Sequence, residues 1–136
     1  MSETRELIRA ALEAREMAYT PYSHFKVGAA LLAKDGTVWR GCNIENAAYT
    51  PTNCAERTAF FKAVSEGCRE FSAIAVVGGR EGPVTEECAP CGVCRQVMAE
   101  FCDPDDFRVI LAADEEHYSV YRLRELLPQA FVPSRL

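Results

Sequence analysis

Two short stretches carry residue types that together can do chemistry: Cys54-Ala55-Glu56 and Pro90-Cys91-Gly92-Val93-Cys94. Each follows a loop and opens a segment of helical spacing. A helix start, with its unpaired N–H groups and dipole, favours the thiolate form of a cysteine. Thiolates are what bind Zn²⁺, so two helix starts facing each other would gather Cys54, Cys91 and Cys94 around one ion. Three protein ligands leave the fourth tetrahedral position to water, the arrangement of a catalytic rather than a structural site. Water held there becomes a nucleophile near neutral pH but still needs a proton acceptor. Glu56, two residues from a ligand and in the same helical turn, reaches it without ligating the metal. It can take that proton, pass it to a ring nitrogen and later protonate a leaving amine. Three thiolates on a divalent ion leave a net negative charge that makes the water less acidic. Arg57, one turn from Cys54, and Arg95, next to Cys94, are expected to relieve this, one or both by hydrogen bonding to the sulfurs.

Competing readings use the same residues. An acid in the first turn is ordinary helix grammar, and C-x-E alone says little. Cys88 makes the run CAPCGVC two overlapping C-x-x-C units. Cys54, Cys88, Cys91 and Cys94 would then close a four-cysteine structural site with no room for water. Pro90 stiffens the link between Cys88 and the helix start, and a closed site leaves Glu56 without a task. Three ligands are the preferred reading.

The elements that must position these residues follow from periodicity. Residues 4–18 repeat apolar positions at helical spacing, with Ser2 or Thr4 available as a cap and Pro21 beyond. Asp35-Gly36 between two apolar runs predicts a hairpin, with strands near residues 26–33 and 37–43. Helices are expected over residues 54–66 and 91–101. The continuous apolar runs at 71–79 and 107–114 read as strands covered on both faces. A further strand near 118–121, a short helix at LRELL and a loose tail containing Phe131 complete the chain. A hairpin followed by alternating helices and strands predicts an α/β fold, a three-layer α/β/α sandwich around one mixed sheet.

Bulk properties narrow the partners. The chain has 136 residues, the size of one domain, and is 49% hydrophobic, enough for a core. The N-terminal segment is charged and lacks the apolar stretch of an export signal, so a soluble cytoplasmic protein is expected. The net charge is −5 with no cluster of basic residues. That disfavours nucleic acid and favours a small neutral ligand. Seven cysteines, an odd number with three crowded into CAPCGVC, favour metal binding or catalysis over a disulfide framework.

C-x-E followed by P-C-x-x-C is the three-cysteine zinc deaminase signature. Around it, the segments AYTPYSHFKVGAALL, GCNIENAAYTPTNCAERTAFFKAVSEG, PCGVCRQV and ELLPQAF make the sequence resemble the small homotetrameric cytidine deaminases. The resemblance implies a five-stranded mixed sheet, one Zn²⁺ per subunit, and hydrolytic deamination of cytidine and 2′-deoxycytidine in nucleoside salvage. It implies Cys54, Cys91 and Cys94 as ligands and Glu56 as proton shuttle. By the same likeness Asn43 and Glu45 hold the ribose hydroxyls, Phe25 packs against the pyrimidine, and the Ala55 N–H contacts the base. Tyr49 and Phe131 would complete a neighbouring subunit's pocket in a homotetramer with shared active sites. Deaminases of cytosine-nucleoside antibiotics share the metal motif but lack the NIEN segment found here. A polynucleotide-editing deaminase would need a basic groove with stacking aromatics.

Overall fold

The computed structural model describes residues 2–136. Its first helix, α1 (Glu3–Arg15), starts where Ser2 Oγ accepts the Arg5 N–H at 3.2 Å. It stops earlier than its apolar spacing suggests. Ala18 N already bonds back to Arg15 O, and the next amide, Tyr19 N, is taken by Asn43 O at 3.0 Å. Bridging to the segment around Ile44 thus competes with further helix and wins.

Strands β1 (Phe25–Ala33) and β2 (Val38–Cys42) form the expected hairpin. Gly36 sits at φ +94°, and Asp35 Oδ1 accepts the Thr37 N–H. After α2 (Ala55–Ser65) comes β3 (Phe71–Arg80), then α3 (Gly92–Phe101), β4 (Arg108–Ala112), β5 (Tyr118–Arg122) and the single turn α4 (Leu123–Leu126). The sheet order is β2-β1-β3-β4-β5. Only β3 and β4 run parallel, so the sheet is mixed, as predicted.

The unbroken apolar runs have a simple cause. Alternate residues of each central strand face different layers. Ala29, Leu31, Ile74, Val76, Val109 and Leu111 pack with α2 and α3, where Phe60 meets the Phe71 ring edge-on at 5.1 Å. Ala30, Leu32, Ala75, Val77, Ile110 and Ala112 instead pack beneath Leu7, Ile8 and Ala11 of α1. The two helix starts that carry the candidate chemistry both lie on the α2/α3 side. Among the described residues no helix is long and apolar enough to cross a membrane.

Candidate active site

Cys54 and Cys91 are the N-cap residues of α2 and α3, both extended at φ −77° and −70°. Neither uses its side chain to cap its helix, so both sulfurs remain free to face each other. Cys54 Sγ lies 3.8 Å from Cys91 Sγ, which lies 3.4 Å from Cys94 Sγ. All three fall within 4.8 Å of one another, and they form the one metal-competent group of His, Cys, Asp and Glu among the described residues. A tetrahedral ion with Zn–S bonds of about 2.3 Å would space its sulfurs by about 3.8 Å, so the cluster fits one Zn²⁺.

The electrostatics suit a cation. Hydrogen bonding from the Cys94 thiol, aided by Arg57 and Cys91, lowers Cys54 to about 5 against the cost of its burial. The same hydrogen bond pushes Cys94 the other way, and burial and the neighbouring charges of Glu56 and Cys54 add to that. Without metal, negative charge is therefore favoured on Cys54 over Cys94. Binding of a divalent ion would require all three sulfurs as thiolates.

Glu56 is 4% exposed, in the first turn of α2. Burial pushes its carboxyl up to about 7, with the Cys54 charge acting in the same direction. Arg57 Nη2 donates to Cys54 Sγ at 3.2 Å. Burial opposes its charge, but bonds to Cys54 and Cys94 more than offset this and hold the guanidinium firmly protonated. Arg95 is bonded elsewhere. Its Nε donates to Pro90 O and its Nη1 to Leu126 O, both at 2.8 Å. These carbonyls draw the side chain toward the loop and α4, so Arg57 alone of the pair is hydrogen-bonded to a cluster sulfur.

Cys88 does not join the cluster. A Cβ built on Gly78 would sit 3.0 Å from Cys88 Sγ, so this sulfur packs closely on the β3 backbone at Gly78. Burial raises its thiol to about 11. Among the described residues, the sulfurs that group within 4.8 Å are those of Cys54, Cys91 and Cys94, without Cys88.

Residues 1–110 match the cytidine and deoxycytidylate deaminase zinc-binding region. The chain belongs to that family. It is 56% identical over 131 residues to the cytidine deaminase of Sporosarcina psychrophila, covering 95% of this chain and 91% of the relative. It is 58% identical over 125 residues to that of Halalkalibacterium halodurans, covering 92% and 91%. The crystal structure of Burkholderia pseudomallei cytidine deaminase superposes with a TM-score of 0.84 at 53% identity, covering 96% of this chain and all of that one. Mycobacterium tuberculosis cytidine deaminase gives 0.81 at 37% identity, covering 96% and 98%. Family membership makes this protein a zinc-dependent hydrolase of the deaminase class.

Phe25, 37% exposed, lines a cavity of about 470 Å³ with Gly78, Gly79, Arg80, Thr85 and Cys88. Neither this cavity nor a roomier one of about 590 Å³ between α3 and the C-terminal segment is lined by Cys54, Glu56, Cys91 or Cys94. Asn43 brackets the start of β1, accepting from Val27 N at 2.9 Å and donating to Phe25 O at 2.8 Å. Glu45 Oε1 accepts the N–H groups of Tyr22 and Ser23 at 3.0 and 3.1 Å, and its Oε2 accepts the Ser23 hydroxyl. The Ala55 amide opens α2, where helix geometry supplies no backbone acceptor. Tyr49, 76% exposed at φ +64°, and Phe131, 60% exposed, do not line the Phe25 cavity of their own chain.

Two residues carry no sequence signal yet hold the site's walls. Arg15 is 6% exposed and donates to the carbonyls of Lys26, Gly79, Arg80 and Gly82. Ser23 joins Glu45 to the backbone of Phe25. An arginine in a helix and a serine in a turn are too common to flag.

Proposed function

We propose that this chain, as one domain spanning residues 1–136, deaminates cytidine and 2′-deoxycytidine hydrolytically to the uridine forms with release of ammonia. The observation that carries this reading is the open three-sulfur cluster with a buried glutamate in the adjoining helical turn. Zinc bound by Cys54, Cys91 and Cys94 would supply the Lewis acidity that makes water nucleophilic near neutral pH. The proton transfers fall to Glu56. Its carboxylate takes one proton from the attacking water and gives it to the pyrimidine N3. It then carries the second proton of that water to the amino group, so the C4–N bond breaks as the C4 carbonyl forms and ammonia leaves. Arg57, through its bond to Cys54, withdraws charge from the thiolates.

Substrate placement is assigned to residues around this centre. Phe25 packs against the base and the Ala55 N–H meets its edge. Asn43 and Glu45 take the sugar hydroxyls, and a ligand lacking a hydroxyl would leave them unpaired. Supporting this, each retains hydrogen-bonding capacity beyond its internal bonds. Tyr49 and Phe131 are assigned to neighbouring pockets of a homotetramer, a reading supported by the exposure of both rings. A cytoplasmic role in pyrimidine salvage, acting on free nucleosides rather than nucleic acid, suits the net charge of −5.

The test is ammonia release from cytidine, 2′-deoxycytidine, cytosine, cytidine monophosphate and a cytosine-nucleoside antibiotic. Release from both nucleosides is expected. Release from the antibiotic alone would favour the related antibiotic-deaminating reading, and none from either nucleoside would overturn the main one.

A further inference from the structure

The two side chains assigned to the sugar also hold the backbone of the residue assigned to the base. Asn43 clamps Phe25 O and Val27 N. Glu45 reaches the other side of Phe25 through a single hydroxyl: Ser23 Oγ donates to Glu45 Oε2 and accepts the Phe25 N–H at 3.0 Å. The intervening His24 is held at φ +58°, a backbone conformation uncommon for a non-glycine residue. Arg80, cross-strand partner of Phe25, fixes the turn from outside by donating to Ser23 O at 3.3 Å.

A count of acceptor sites gives this arrangement a consequence. An ionised carboxylate offers about four lone-pair sites, two on each oxygen. On Glu45, Oε1 accepts two backbone N–H groups and Oε2 accepts only the Ser23 hydroxyl. The remaining site therefore lies on Oε2. Any sugar hydroxyl that Glu45 accepts must share the oxygen that Ser23 orients.

We propose that Ser23 is a positioning residue that sets the sugar-binding oxygen of Glu45 and the base-packing ring of Phe25 relative to each other, coupling recognition of sugar and base. This rests on the cytidine-deaminating reading above. Among the described residues the hydroxyl is the one group bonded to both, so removing it releases two constraints together. The carboxylate loses the bond that fixes Oε2, and the Phe25 amide loses its acceptor. Threonine retains the hydroxyl and alanine does not.

The experiment is a steady-state comparison of wild type, Ser23→Ala, Ser23→Thr, Glu45→Ala and the Ser23→Ala/Glu45→Ala double variant. Each is assayed with cytidine and with 2′,3′-dideoxycytidine, after zinc content and melting temperature have been matched. Ser23→Ala is expected to raise KM for cytidine on the order of tenfold, the usual value of one hydrogen bond to a charged group, with a much smaller change in kcat. The rise should be smaller for the dideoxynucleoside, which offers Glu45 no ring hydroxyl. Ser23→Thr should restore cytidine KM, and Ser23→Ala should cost less in the Glu45→Ala background than in wild type, the remainder being the Phe25 contribution. Unchanged KM in Ser23→Ala, equal losses on both substrates, or multiplying effects in the double variant would overturn the proposal while leaving the deaminase reading intact. Absence of wild-type turnover would overturn both.

Discussion

A Cβ on Gly41 would lie 2.4 Å from the carbonyl oxygen of Ala55 and 2.6 Å from the amide of Ala59. Strand β2 therefore touches the first turn of α2 backbone to backbone, at the turn that carries Cys54 and Glu56. No side chain fits between them, and neither obstructing atom can swing away. Gly41→Ala should push the α2 start outward and lower unfolding free energy by about 1–3 kcal/mol. Denaturant unfolding measures that loss, and zinc retention should fall with it. Wild-type stability and zinc affinity in this variant would contradict the contact.

Glu56→Gln should keep the fold and the zinc but reduce ammonia release by a factor of about 10²–10⁴, the usual worth of a positioned proton carrier. Normal turnover would remove Glu56 from its assigned role.

The same residue makes a pH prediction for the metal-free protein. Burial raises the folded carboxyl from 4.5 to about 7, so the folded state binds more protons between those values than the unfolded chain does. Its contribution to stability is greatest below 4.5 and is lost as pH rises through 7. Cys54, lowered from 9.0 to about 5, acts in the opposite sense above pH 5, so the comparison must be with a variant. Relative to metal-free Glu56→Gln, the metal-free wild type should lose about 3 kcal/mol between pH 4.5 and 8. Parallel stability curves for the two would show that the carboxyl is not desolvated.

Arg57→Gln removes the 3.2 Å bond to Cys54 Sγ. Outer contacts of this kind are worth about 10–100-fold in metal affinity or activity, and a loss in that range is expected. Arg95→Gln should leave zinc affinity unchanged, because its bonds go to backbone carbonyls. Competition with a graded series of chelators distinguishes the two.

Cys88→Ser tests the closed four-cysteine alternative. With its sulfur packed on Gly78, the variant should retain wild-type zinc content and turnover. Loss of the metal would show that Cys88 is a ligand.

Much of the fold is legible in sequence because its signals are local. Asp35-Gly36 marks the hairpin, and the runs at 71–79 and 107–114 mark doubly covered strands. The end of helix α1 has no local signal: its apolar spacing continues past Arg15, while a long-range bridge between Tyr19 and Ile44 ends it. Arg95 shows the same limit at the site. Adjacency to Cys94 suggests a thiolate contact, but Pro90 O and Leu126 O compete for the guanidinium, and the latter lies 31 positions away.

By itself, the sequence determined which groups could do the chemistry: C-x-E and P-C-x-x-C at helix starts, where unpaired N–H groups favour thiolates whatever the rest of the chain does. Only the tertiary structure decided which of the nearby groups meet. It joined Cys91 and Cys94 to Cys54, turned Cys88 onto Gly78 and chose Arg57 over Arg95. It also tied Ser23 between Glu45 and Phe25. The reason is physical: helix-end chemistry acts within one turn of chain, whereas hydrogen-bond partners and close backbone contacts depend on how separate segments pack.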